Sequence, residues 1–199
     1  MRVPILSIAF FAVTLGVAGC NRGDTADEIS TEANLAEDVS ADDVLGANAA
    51  ADAAAALPTD ASGFAKAVAA SDLFEIESAK LAADKAVSAD IKSFAQQLRA
   101  DHEKSSAELK AAAAKVTPTV TVAPALDPEQ QAMIDQLKGA TGADFDRRFI
   151  DQQTNAHQKA LSLLQNYIGK GDAPALKDFA AKTATVVQDH FEHVNSIRK

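Results

Sequence analysis

Four histidines, His102, His157, His190 and His193, carry the metal or proton chemistry open to this 199-residue chain. His102 lies four residues after Leu98 and seven before Leu109. His157 follows Phe149 by eight and precedes Leu164 by seven, and His190 stands between Val187 and Val194. At 3.6 residues per turn these separations return to one helix face, so each of the three shares a stripe with apolar residues. Asp72 and Glu75 stand four residues from Val68 and Ala79 and fall near an inner face of their own segment.

Inward imidazoles beside a carboxylate have two explanations. Glu75, His102, His157 and His190 could ligate a divalent transition metal, a donor set that suits Zn, Cu(II), Fe or Ni. Alternatively they are core histidines satisfied by hydrogen bonds. Asp72, Asp101 and Asp189 are secondary candidates, the last two immediately preceding His102 and His190. His193 is a further one, since His190 and His193 at i, i+3 could chelate a metal at the surface or form a solvated helix end.

Several chemistries find no support. Residues three before each histidine are Arg99, Thr154, Val187 and His190, so the Glu-x-x-His signature of di-iron bundles is absent. Met133 is the only methionine beyond the first residue, which removes methionine-rich Cu(I) capture. There is no Gly-rich phosphate loop and no nucleophile elbow. A metal-dependent oxidoreductase or hydrolase would need an open coordination position that the sequence does not display, so a non-enzymatic role is expected.

The elements that must position these residues are helices. Amphipathic periodicity predicts them over about Ala61–Lys85, Ser88–Val116, Ala143–Ile168 and Ala173–Ile197, with a short one over about Pro128–Leu137. Asp60 or Ser62, then Ser88, then Asp127 followed by Pro128 are the expected caps. Gly169 and Gly171 are expected to end the third long helix. Short links make antiparallel neighbours of the first and last pairs. The long proline-bearing connection between the second and third long helices can run the length of a bundle, which predicts an all-α, ferritin-like four-helix bundle with one long crossover. At about 1.5 Å per residue, His102 should stand level with Ser71 and Asp72, with Glu75 one turn nearer the first link. Ala89–Ala95 and Pro174–Ala180 resemble each other, as two similar hairpins would require.

The N-terminus is of another kind. Arg2, the apolar run Ile5–Ala18 and the small residues before Cys20 predict a lipoprotein signal over residues 1–19, with Cys20 as the lipidated N-terminus. The alternative is an ordinary signal peptide with an incidental thiol. Residues 20–60 are predicted to be an acidic flexible tether: from 21 to 60 there are ten acids, one base and no aromatic residue. A short helix over Ala47–Leu57 is compatible with its alanines. Of the formal net charge of −9, residues 61–199 carry −1, so the folded part is nearly neutral. With no basic patch and no tryptophan, nucleic-acid binding is not expected.

Four motifs, Phe74-Glu-Ile-Glu-Ser-Ala-Lys-Leu-Ala82, Phe94-Ala95 with Asp101-His102, Phe145-Asp146 with His157, and Phe179-Ala180-Ala-Lys-Thr183 with His190, resemble the domain of unknown function 4142 family. These are ferritin-like proteins secreted by bacteria or held at the outer membrane. The resemblance covers about Gly63–Val194 and implies that Glu75, His102, His157 and His190 fall on the family's recurring polar positions. Where the family shows Leu-Pro before its last histidine, this chain has Ala184 and Thr185, which leaves the bend of the last helix open. The chain is therefore expected to be a periplasm-facing, membrane-anchored envelope lipoprotein, with Asn21 leaning toward the outer membrane. Its bundle is either a metal-binding module or a cofactor-free structural or stress-related body that acts on an unidentified protein partner.

Overall fold

The computed structural model describes residues 56–198. The expected signal, Cys20, most of the tether and most of the Ala47–Leu57 segment lie outside the described residues. Ala56 and Leu57 are not helical. The chain forms α1 (Ala61–Lys85), α2 (Ala89–Ala113), α3 (Pro128–Gly139), α4 (Gly142–Lys170) and α5 (Pro174–Ile197), with no strand among the described residues. Among them no helix is long and apolar enough to cross a membrane.

Local chemistry sets the boundaries. Asp60 Oδ1 accepts the Gly63 amide at 2.8 Å and caps α1, so Asp60 rather than Ser62 opens the helix. Ser88 caps α2, and Asp127 with Gln130 forms a reciprocal capping box around α3 with Pro128 in its first turn. Periodicity carries the second helix to Val116, but it stops at Ala113, because the chain must turn out of the helix before Pro118. α4 begins at Gly142, whose φ of +58° is a left-handed conformation that a side chain would strain. Gly169 does not end α4 but lies within it, and α5 continues unbroken through Ala184 and Thr185.

α1 packs beside α2 and α4, and α5 closes the ring against α2 and α4. Phe64 stacks on Tyr167 and Gln153 donates to Ser78, so residue numbers rise along α1 as they fall along α4. Phe94 with His193 and Asp101 with His190 give the same sense across α2 and α5. Every neighbouring long pair is thus antiparallel, the two parallel pairs lie on the diagonals, and the segment from α2 to α4 must return along the bundle. This is the ferritin-like bundle with one long crossover. α3 forms the last part of that return against α1 and α4. Lys85 donates to the carbonyls of Leu137 and Lys138 at the end of α3. Asp146 accepts the Val87 and Ser88 amides and ties the two hairpins together.

The core is two apolar clusters with a polar layer between them. One gathers Phe64, Leu109, Leu164, Tyr167, Leu176 and Phe179 toward the start of α1, and the other Ile91, Phe94, Leu98, Leu137, Phe145 and Phe149 toward its end. Full burial of such side chains contributes roughly 1.5–3 kcal/mol each. Asp72, Glu75, Ser78, His102, Gln153, His157 and His190, all buried, occupy the stretch between.

Gly171 is the tightest joint. A Cβ there would lie 2.6 Å from both the Tyr167 ring and its carbonyl oxygen, although its φ of −63° suits any residue. Gly171→Ala should therefore destabilise the bundle by about 1–3 kcal/mol. Gly169→Ala, with nothing within 4 Å, should stabilise α4 by about 0.5–1 kcal/mol. Chemical denaturation of both variants checks the pair, and equal effects would contradict the contact.

Candidate metal centre

The polar layer is assembled from all four long helices. α1 supplies Asp72 and Glu75, α2 His102, α4 Gln153 and His157, and α5 His190. The rings of His102, His157 and His190 stand with centroids 5.5–6.0 Å apart. One nitrogen from each lies within 4.8 Å of those of the other two. Their relative exposures are 5%, 1% and 0%, so the group is dry.

Each ring uses one nitrogen on a supporting acceptor. His102 Nδ1–H donates to Asp72 Oδ1 at 2.8 Å, and the other carboxylate oxygen of Asp72 accepts from Ser106. His157 Nδ1–H donates to the Gln153 carbonyl at 2.8 Å, and His190 Nε2–H to Asp101 Oδ2 at 2.9 Å. A carbonyl can only accept, so His157 is fixed with its proton on Nδ1 and a lone pair on Nε2. What remains is His102 Nε2, His157 Nε2 and His190 Nδ1, all buried and none with a hydrogen-bond partner. A buried polar atom left unpaired costs roughly 1–3 kcal/mol. Three imidazoles, each oriented by an acceptor behind it, form the arrangement that metal-binding histidines adopt.

Glu75 stands outside the three-nitrogen group. Its Oε1 is 3.9 Å from His157 Nδ1, on the side of that ring already given to Gln153, and its Oε2 has no partner. Burial pushes its carboxyl up to about 7, against the lowering effects of His102 and Gln153 and with a further push from Asp72. The imidazoles divide. Burial, with the neighbouring His102 charge, pushes His157 down to about 3. Burial also lowers His190, opposed by its bond to Asp101. His102 is desolvated too, but its hydrogen bond to Asp72 and the charges of Glu75, Asp72 and Asp101 raise it above the ordinary value. In the metal-free protein, His102 is therefore the ring that holds a proton most readily.

The remaining candidates are placed apart. Asp72 and Asp101 support His102 and His190 and do not join the group. Asp189 is exposed. His193 turns an edge toward Phe94 at a centroid distance of 4.8 Å while His190 points inward, so the two do not face a common ion. Cys20 lies outside the described residues. Sequence reasoning overlooked Gln153, which repeats at four-residue spacing between Phe149 and His157 and so lies on the inward stripe. It also overlooked Ser78, while Ser105 and Ser106, which lie near His102 in sequence, read there as ordinary helix spacing.

Fold and site together define a helical bundle with a buried three-histidine centre. A family model described as Domain of unknown function (DUF4142) matches residues 46–197, and the chain belongs to that family. Two solved structures share the fold. CopM in the Cu(II)-bound form is 20% identical with a TM-score of 0.59, covering 70% of this chain and 95% of that one. CopM in the Ag-bound form, by co-crystallization, is 21% identical with a TM-score of 0.57, covering 69% and 93%. No curated protein matches the chain.

The Glu75 carboxyl dictates a pH signature. Its folded value near 7 exceeds the ordinary 4.5, so the stability it contributes is complete below pH 4.5 and is lost as pH rises through 7. Glu75→Gln, neutral at every pH, should gain on the wild-type protein between pH 5 and pH 8. The gain approaches about 3 kcal/mol at the top, since each tenfold change in proton affinity corresponds to about 1.4 kcal/mol. Melting curves with chelator present measure it, and a pH-independent difference would refute the assignment.

Proposed function

We propose that this chain is an envelope lipoprotein whose bundle binds one divalent transition-metal ion, copper(II) foremost, through His102 Nε2, His157 Nε2 and His190 Nδ1. The observation that carries this is the set of three buried, unpartnered ring nitrogens held together by acceptors behind them. Neutral imidazole suits copper, zinc, iron and nickel, and among divalent ions of the series Cu(II) binds a given nitrogen site most strongly. The two fold neighbours, named as Cu(II)- and Ag-bound CopM, point the same way. Met133, the one methionine of the bundle, sits on α3 outside the polar layer, so thioether capture of a monovalent ion is not supported. Asp72 and Asp101, one behind each of two rings, balance two positive charges. The role is binding rather than catalysis.

The anchor belongs to the same proposal. The run ending at Leu15-Gly16-Val17-Ala18-Gly19-Cys20 supports lipidation of Cys20 and a periplasm-facing position, with Asn21 favouring the outer membrane. The acidic segment after it supports a spacer that holds the bundle off the surface.

Purified bundle stripped of metal and titrated with Cu(II) should take up one equivalent and melt at a higher temperature, by about 2.7 kcal/mol of added stability at a hundredfold excess over Kd. His102→Ala, His157→Ala or His190→Ala should abolish stoichiometric uptake, and Asp72→Asn or Asp101→Asn should weaken it roughly 10–100-fold. His193→Ala should change nothing. Uptake that survives all three histidine changes, or a melting curve indifferent to chelator and copper alike, would leave the cofactor-free alternative, a structural or stress-related envelope protein working through protein contacts. Separately, cells expressing the full chain and fed labelled palmitate should incorporate it, and Cys20→Ala should abolish incorporation and release the protein from membranes. Retention of label on the Cys20→Ala protein would exclude the anchor.

A further inference from the structure

We propose that the centre keeps one coordination position open for a small inorganic anion, admitted through a cleft between α2 and α5. The proposal rests on the three-histidine reading above. Three neutral donors make an incomplete set: structural sites of this kind close with four protein ligands, whereas three leave a position for an exogenous one. Among the described residues the group contains no fourth ligating atom, since Glu75 lies on the supported side of His157.

The cleft holds about 180 Å³ and reaches two of the three rings, His102 and His190. Drug-sized ligands need roughly 300 Å³ or more, and liquid water takes about 30 Å³ per molecule. The space therefore suits an anion of a few atoms with some water and is too small for a drug-sized ligand. Its walls set two lysines against two acids and add a buried hydrogen-bond donor. Lys104 and Lys182 both line it; Lys104 lies 3.9 Å from Glu108, while Lys182 makes no ion pair among the described residues. Asp101 and Glu108 also line it, the first engaged by His190 and the second by Lys104, which leaves Lys182 as the cation with no acid paired to it among the described residues.

Ser105 is the decisive group. It lies one helical turn beyond His102, lines the cleft, is 8% exposed, and its hydroxyl has no hydrogen-bond partner. A buried hydroxyl without a partner is an unmet demand, and an anion in the cleft would meet it. By contrast, the hollow on the Asp72 side of His102 holds only about 20 Å³, room for about one water, with walls that are mostly apolar.

The test uses the full chain loaded with one equivalent of Cu(II) and titrated with sodium azide. Saturable growth of an azide-to-copper charge-transfer band, with a change in the copper EPR spectrum, is expected. Ser105→Ala and Lys182→Glu should each weaken azide binding about tenfold while leaving copper affinity unchanged. Val186→Trp, at the half-exposed mouth of the cleft, should slow azide entry about tenfold. Ser105→Ala removes only an unpaired polar atom, so its fold should survive. Copper binding with no response to azide would overturn the open position and leave the metal site standing. An azide response identical in all three variants would overturn the route and its anion contacts. Failure of the wild-type chain to bind copper would overturn both proposals together.

Discussion

The constraint on which this bundle depends is the dryness of its waist. Two apolar clusters, centred on Phe64 with Tyr167 and on Phe94 with Phe149, enclose a layer containing two acids and three imidazoles. Taking such groups from water costs several kcal/mol apiece unless they are paired. The helices must therefore bring partners to every ring, and Asp72, the Gln153 carbonyl and Asp101 are those partners. The pairing is half complete: one nitrogen of each ring is satisfied, and the other is left facing its neighbours.

That half-completion explains how the charges are arranged. Three positive imidazoles could not share so small a dry volume, since like charges at these separations repel strongly where water cannot screen them. The layer resolves this by dividing its protons. His102, beside Asp72, keeps a proton readily, while His157 and His190 are driven toward neutrality. Glu75 takes up a proton near neutrality because burial makes its charge expensive. In the metal-free state the waist thus lowers its own charge, with a cost left in its three unpaired nitrogens. A bound cation would relieve that cost by accepting all three lone pairs and displacing the proton from His102.

The sequence made much of this legible because helical periodicity carries positions as well as elements. Leu98, His102 and Leu109, or Phe149, His157 and Leu164, declare an inward face without any structure. Depth along α1 and α2 places His102 level with Asp72, and the two are hydrogen-bonded. One helix end was legible only in part. Gly171 caps α4 as expected, in a contact with Tyr167 that no local pattern announces, whereas Gly169 lies inside the helix and shows that a glycine near a helix end need not break it. Which face of an imidazole is used was not legible either. Asp72 and Glu75 lie three residues apart on one stripe, yet Asp72 holds His102 by a hydrogen bond and Glu75 stands beside His157, a ring already supplied. The packing of α1 against both α2 and α4 decides between them. Gln153 escaped notice because its hold on His157 is through its backbone carbonyl, a group every residue possesses, although its side chain also lies on the inward stripe and donates to Ser78.

The supports behind the three rings are also unequal in their access to water, and this sets where the cluster is least enclosed. Asp72 is buried and doubly bonded, to His102 and Ser106, and Gln153 is a helix backbone group inside α4. Asp101 alone is more than a third exposed at its side chain. His190 is therefore the ring whose support water can compete for, and it sits on the helix that forms one wall of the α2–α5 cleft. Two rings are thus backed by groups closed to water and the third by a group at the surface, so the three-histidine cluster is least enclosed on the α2–α5 side. The opposite side, where α1 meets α4 through Ser78 and Gln153, stays packed.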